Sequence, residues 1–140
     1  MDEGLYQPYD EWIKKAIEQE LIGREDLLPP WIKYPGMPRF SIGWRMGNGE
    51  SYNDMWNEWI QHLDQGQKIA YFRKYAPIPT DFLTLVAEAF GFTDIIEEIL
   101  SRKGEFAGIR WLEQQKLANY EKFMEYYTGF WNKSASSDEA

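Results

Sequence analysis

Apolar residues recur along most of this chain at the three- and four-residue spacing that is typical of amphipathic helices. The first such stripe begins after Pro8, a residue that suits the first turn of a helix, and Gly23 can end it. Together the stripes predict an all-α fold, a single-domain irregular bundle of five or six helices. The other predicted helices run from Ser51 to Leu63, from about Lys68 to Tyr75, from Thr80 to Phe90, from Thr93 to Leu100 and from about Ala107 to Trp131.

Residues 27–49 interrupt this pattern with a Pro-rich, aromatic segment that reads LLPPWIKYPGMPRFSIGWRMGNG. The segment contains four of the seven prolines and three basic residues but no Asp or Glu. Apolar residues alternate with others from Arg39 to Met46, which is typical of a short strand or hairpin. Because proline restricts the unfolded chain and the tryptophans offer apolar area, we expect a long, ordered loop that packs on the helices.

Length and composition indicate one domain with a core of its own. A chain of 140 residues is long enough to bury that core, and aromatic residues, 17% of the total, supply much of the apolar area. We place the domain at residues 1–133 and predict that the small, polar residues 134–140 form a flexible tail. The last predicted helix has two lines of rings, so a homodimer through this C-terminal aromatic helix is one candidate assembly.

The formal charge of −8 limits the classes of partner that the protein can bind. An acidic chain argues against a broad nucleic-acid-binding surface, which needs clustered Lys and Arg, and we therefore predict no DNA binding. The absence of cysteine excludes disulfides and thiol chemistry. The acidic first residues do not resemble a signal peptide and no long apolar run predicts a membrane span, so we expect a cytoplasmic protein that does not enter membranes.

Residues 85–100 have the outline of a helix-turn-helix, and the small residues Ala87 and Gly91 have the spacing that lets the two helices of such a pair cross closely. The second helix of that pair carries Asp94, Glu97 and Glu98, which would repel the phosphates of DNA. An ordinary αα-hairpin is the better interpretation.

The sequence offers little for catalysis or metal binding. His62 is the only histidine, and it falls on the polar side of its predicted helix. One histidine without cysteine cannot build a zinc site. The carboxylate pairs Glu97–Glu98 and Glu121–Glu125 lack the Glu-x-x-His partner of helical di-metal sites, and we expect them to be solvated. We predict no catalytic residue, no metal and no cofactor, and the sequence favours a protein without enzymatic activity.

Two interpretations of the segment Gly43 to Gly49 stay open. Its glycines precede a predicted helix start, where backbone N–H groups attract an anion, and Arg45 could clamp a phosphate or carboxylate. The lysine and hydroxyl residue of a phosphate-binding P-loop are missing, and Glu50 would repel an anion. A tight turn is the other interpretation.

The leading hypothesis for function is a non-enzymatic protein-binding module, an inhibitor or immunity-type protein that covers a basic partner surface. Asp54 and Glu58 share one face of a predicted helix and are the candidate acids for steering that partner. Trp31 and Trp44 in the Pro-rich segment are the candidate aromatic contacts.

The alternative is a small-molecule-binding protein or enzyme that holds an anionic ligand under the loop of residues 31–49. In that case Arg39 and Arg45 would bind the ligand. The position of the aromatic rings discriminates between the two. Rings that line a concave pocket with arginines at its mouth favour a ligand, and rings on a flat or convex patch bordered by acids favour a protein partner.

Overall fold

The computed structural model describes the backbone of residues 8–39 and 47–139 and the side chains of residues 11–39, 49–129 and 131. Over these residues the predicted all-α fold is confirmed: they form eight α-helices, one 3-10 helix and no β-strand. The helix count exceeds the predicted five or six because one short helix lies within the Pro-rich segment and the last predicted helix is two. The strand or hairpin predicted near residues 40–46 lies outside the described residues.

The chain divides into two compact units, Met1–Asp64 and Gln65–Ala140, which we call the first and the second unit. In the first unit, α1 (Pro8–Glu20) and α2 (Pro30–Lys33) both pack against α3 (Gly47–Gln61). The apolar stripes predicted for α1 and α3 supply the core, in which Trp56 and Ile60 are fully enclosed. The other buried apolar residues of this unit are Ile13, Leu27, Trp31, Tyr52 and Met55.

The described part of the Pro-rich segment is packed, as predicted, but it is not all loop. Pro29 caps α2 and Pro30 occupies its first turn, where a missing N–H costs nothing and the fixed φ suits the helix. The N–H groups of Ile32 and Lys33 donate to the Pro29 carbonyl at 2.9 and 3.0 Å. Both prolines are fully buried. Two adjacent prolines therefore start a helical turn here instead of only interrupting one.

α3 begins at Gly47, four residues before the Ser51 that was predicted to open it. The last three residues of the Gly43 to Gly49 segment are thus the first residues of the helix, and Gly49 is buried. The prediction placed the start at Ser51 because Ser51 and Asp54 resemble a capping box. The structure begins the helix earlier, although glycine and asparagine have low helix propensity. Residues 43–46 of the segment lie outside the described part.

In the second unit, α5 (Leu83–Ala89) is the most buried helix, with six of its seven residues buried. It follows the 3-10 helix Thr80–Phe82 and packs on α6 (Ile95–Ser101), which confirms the predicted αα-hairpin, and on α7 (Ala107–Gln114). The remaining helices are α4 (Gln65–Lys74) and α8 (Tyr120–Glu139), and α8 packs on α7 and on the 3-10 helix.

α5 and α7 approach closely at Gly108, which is buried. A Cβ added at Gly108 would lie 2.8 Å from Cγ of Phe92 and 3.3 Å from Cβ of Ala87. The small residue Ala87, predicted to allow a close crossing of α5 with α6, therefore lies beside α7. Glycine is required at position 108 because the space for a side chain is already filled by Phe92.

The single helix predicted from Ala107 to Trp131 is wrong, because the chain turns between α7 and α8. Lys116 adopts a left-handed φ of 62°, and the N–H of Leu117 returns to the Leu112 carbonyl at 2.9 Å. Asn119 then caps α8, since its Oδ1 accepts the Lys122 N–H at 2.9 Å. The break carries neither glycine nor proline, and Asn119 was the only readable sign of a new helix start.

Gly104 is the glycine that the sequence offers as the stop of the helix that begins near Thr93, and this prediction is wrong. The helix ends at Ser101, and Arg102 takes the left-handed conformation at its C-terminus, with a φ of 60°. Gly104, at φ 130°, lies against Glu98, because a Cβ at position 104 would be 2.7 Å from Cγ of that side chain. Glu98 Oε2 in turn accepts the Phe106 N–H at 2.9 Å, just before α7. Glu98, predicted to be solvated, thus supports a helix start.

Two basic residues of α4 hold the C-terminal ends of other helices in the second unit. Lys68 Nζ donates to the Ala89 carbonyl at 2.8 Å, and Arg73 Nη2 donates to the Gln115 carbonyl at 3.1 Å. Carbonyl groups at the C-terminal end of a helix receive no hydrogen bond from an N–H group of the same helix. A cation at this end is also stabilised by the negative end of the helix dipole. These contacts attach α4 to α5 and α7.

α8 places Tyr126 near the 3-10 helix. Partial burial, and then the Asp81 carboxylate, raise the pKa of Tyr126 above its ordinary value. The helix continues to Glu139 and so includes most of the segment predicted as a polar tail. The domain boundary at residue 133 and the flexibility of residues 134–140 stay predictions.

We expect Gly108→Ala to lower the free energy of unfolding by about 1–3 kcal/mol, because the new methyl group must displace Phe92 from a packed position. Urea denaturation measures the change. Gly129→Ala in α8 is the matched control, since a Cβ there meets nothing within 4 Å and alanine favours helix. Equal denaturation midpoints for the two variants would contradict the close approach of α5 and α7.

Candidate functional site

The first unit carries an open groove of about 310 Å³ between α1, α3 and the residues that end α2. Its floor and walls combine aromatic rings, small apolar groups and one ion pair. The groove is concave and lined by rings, but no arginine is among the described residues that line it, so it matches the pocket expected for an anionic ligand only in part. The residues that line it are Trp12, Ala16, Gln19, Glu20, Lys33, Tyr34, Ser51, Tyr52 and Met55.

Tyr52 fixes the aromatic part of the groove. Its hydroxyl donates to the Leu28 carbonyl at 2.6 Å, and only 5% of the residue is exposed. The ring of Tyr34 meets it edge to face, with 5.8 Å between the ring centres and 77° between the planes. This geometry suits the ring quadrupoles. It also ties α3 to the Pro-rich segment on both sides of α2.

Trp12 differs from the other apolar residues of α1 whose side chains are described, because 43% of it is exposed. It lies one helical turn before Ala16, whose small side chain leaves space beside the indole. Met55, on α3, is 97% covered and closes the apolar part of the groove from the other side. An exposed indole at the edge of a concave apolar surface is a common contact for a bound side chain.

Lys33 and Glu20 form the charged part of the groove. Lys33 Nζ lies 3.3 and 3.4 Å from the two carboxylate oxygens of Glu20, and about a third of each side chain is exposed. The same ammonium lies 5.3 Å from the centre of the Tyr52 ring, within the range of a cation–π contact. The groove therefore already holds one cation between a carboxylate and an aromatic face.

The residues that were predicted to form a site are not brought together in the described part of the chain. Trp31 is 8% exposed and belongs to the core, and Arg39 is half-buried at the end of the described segment. Trp44 and Arg45 lie outside the described residues. On α3, Asp54 is half-buried, and the exposed Glu58 lies 3.3 Å from Nε2 of His62. None of the four described residues lines the groove.

Sequence reasoning missed the groove residues Trp12, Glu20, Lys33 and Tyr52. Trp12 and Tyr52 fall on the apolar stripes of their helices, and this position predicts core residues. The prediction is correct for Tyr52 but only half correct for Trp12. Lys33 was counted as part of a basic loop and not as the partner of Glu20. The available signal was the i, i+4 series Trp12, Ala16, Glu20, which places a ring, a small residue and an acid on one helix face.

A second, acidic cleft of about 270 Å³ lies in the second unit and is lined by Asp94, Glu97, Glu98, Ser101 and Lys103. One of its carboxylates already has a structural role, because Glu98 accepts the Phe106 N–H. Within residues 8–39 and 47–139 no group of three or more His, Cys, Asp or Glu could hold a metal ion. The ring-lined groove is therefore the stronger candidate site.

Comparison of the chain with protein-family models, with curated proteins and with solved structures gives no match. Among the helices that the structure describes, none is both long enough and apolar enough to cross a membrane. The groove itself combines exposed and buried rings, a small apolar surface, and an acid paired with a cation.

Proposed function

We propose that this chain is a non-enzymatic protein-binding module of the inhibitor or immunity type, and that the groove of the first unit receives an apolar or aromatic side chain from a basic surface of its partner. The observation that supports the proposal is that the ring-lined groove lies in the more acidic of the two units. At protein interfaces an apolar anchor buried in a groove commonly contributes affinity, and complementary charge around it steers association.

The charge of the chain is concentrated in the first unit. Residues 1–64 contain twelve acidic and six basic residues, whereas residues 65–140 contain eleven acidic and nine basic residues. Six of the eight net negative charges therefore belong to the unit with the groove. A basic partner surface would be attracted to this unit first, which supports a partner of positive charge.

The groove suits one anchor side chain of a protein partner. Exposed Trp12 can cover one side of an inserted side chain, Ala16 leaves the space for it, and Met55 offers a polarisable apolar surface. Tryptophan and methionine are enriched at the centres of interfaces for these reasons. Gln19 and Ser51, at the polar edge, could bind the partner backbone.

A small neutral molecule is the second candidate occupant, because the groove is concave and its volume lies at the lower end of the range for ligand sites. An anionic ligand, which the alternative hypothesis requires, fits this groove less well. The Lys33 ammonium is already paired with Glu20, and a free anion would approach that carboxylate. Arg39 does not line the groove, so an anion site that uses Arg39 would have to lie elsewhere.

The proposal also keeps three expectations from the sequence: a cytoplasmic location, no binding to DNA, and the homodimer through the C-terminal helix as a separate assembly. The DNA expectation is supported by the exposed acids of α6, Asp94 and Glu97, and by the use of Glu98 in a structural contact.

We expect Ala16→Arg to weaken partner binding at least about tenfold, because the long side chain fills the groove beside Trp12 and brings positive charge toward a basic partner. The partner is first recovered by pull-down from native lysate with mass spectrometry, and binding is then measured by calorimetry. Ala70→Arg is the matched control. It makes the same chemical change at an exposed position of α4 in the second unit.

If both arginine variants bind the partner as the wild type does, the groove is not the binding surface. If Ala16→Arg weakens binding of a small neutral molecule but of no protein, the second candidate replaces the first. Urea denaturation of both variants shows whether any loss of binding reflects unfolding.

The surface proposed for steering can be tested separately. We expect Asp54→Lys with Glu58→Lys to slow association with the basic partner several-fold at about 0.1 M salt, and to lose this effect as the Debye length shortens from about 10 Å toward 3 Å. Stopped-flow association kinetics measure it. Charge reversal of Arg39 and Arg45 is the comparison, and an effect from that pair alone would favour the anionic-ligand hypothesis.

A further inference from the structure

The Lys33–Glu20 pair differs from an ordinary surface ion pair. The two residues are 13 positions apart in sequence, each side chain is about one-third exposed, and the ammonium contacts both carboxylate oxygens. By contrast, Lys15 and Glu11 pair at 3.5 Å within one helix, with 73% and 49% of their side chains exposed. Only the Lys33 pair has an aromatic ring close to the cation and lies in a groove.

A carboxylate beside an aromatic face is a binding site for an ammonium ion. The carboxylate accepts charge-assisted hydrogen bonds, and the ring quadrupole attracts the cation. Glu20 and Tyr52 have this arrangement toward Lys33, and Tyr34 and Trp12 line the same groove. The chain's own lysine thus demonstrates which chemical group this part of the groove accepts.

We infer that Glu20 and Tyr52 form a lysine subsite of the partner-binding groove, in which Lys33 takes the place of a partner lysine until that partner binds. This inference rests on the proposed function, since it specifies one side chain of the basic partner. A partner ammonium that replaces Lys33 leaves Glu20 paired, and the flexible stem of Lys33 carries its charge into water. The exchange therefore buries no unpaired charge.

The inference has a measurable consequence for the free protein. Lys33 is attached to the site and competes with any added lysine side chain at a high effective concentration. Removal of the Lys33 charge should expose both the carboxylate and the face of Tyr52. A free lysine side chain should then bind more tightly to the variant than to the wild type.

The probe is Nα-acetyl-lysine methylamide, titrated into the isotope-labelled protein and followed by NMR at the methyl groups of Ala16 and Met55. We expect Lys33→Met to bind it about tenfold more tightly than the wild type does, which corresponds to about 1.4 kcal/mol. The matched probe is the norleucine analogue, which keeps the apolar stem without the charge. Its affinity should be the same for both proteins.

The double variant Lys33→Met with Glu20→Gln should cancel the gain, because it removes the carboxylate and keeps the shape. Lys33→Ala serves as a second vacating variant if Lys33→Met does not fold. Equal affinity of wild type and vacated variant for the lysine probe, or a gain that survives Glu20→Gln, would overturn the lysine subsite.

These measurements use no partner protein, so the two proposals can fail independently. If Ala16→Arg blocks the partner but vacating Lys33 does not strengthen lysine binding, the groove is the interface without a lysine subsite. If the probe binds as expected but Ala16→Arg leaves the partner bound, the partner-docking lysine subsite is wrong as well, and the groove is only a cation site.

Discussion

The hydrogen bond from the Tyr52 hydroxyl to the Leu28 carbonyl oxygen, 2.6 Å long, is the contact on which the first unit depends. It fixes the Pro-rich segment against α3 at the point where Leu27, Pro29 and Pro30 enter the core. Because α2 follows at once, the same contact places Lys33 and Tyr34 beside the Tyr52 ring. A buried tyrosine with its hydroxyl satisfied thus holds together both the core and the groove.

The regular helices could be predicted from sequence because apolar spacing is a local signal. Two features of the fold could not be predicted in this way. α2 begins at two prolines that indicate a loop by composition, and α7 and α8 are separated at Lys116, which takes a left-handed conformation that lysine rarely adopts. At Lys116 contacts with neighbouring residues decide the conformation over local propensity. At α2 the prolines suit a helix start, but the composition of the segment does not show which proline begins one.

The groove could not be predicted for a different reason. Trp12, Glu20, Lys33 and Tyr52 come from three helices, and no local pattern brings them together. Lys33 belongs to the basic, aromatic stretch in which the sequence places the candidate contacts, but the aromatic contacts predicted from that stretch are Trp31 and Trp44. Trp31 is buried, and its neighbours two and three positions later line the groove.

The central claim is that the groove of the first unit is the docking surface for a basic partner. Hydrogen–deuterium exchange of the full chain, with and without the partner recovered from lysate, tests it most directly. We expect slower exchange on binding in residues 12–20, 33–34 and 51–55, which line the groove, and unchanged exchange in the second unit. Slower exchange confined to residues 65–139 would contradict the claim.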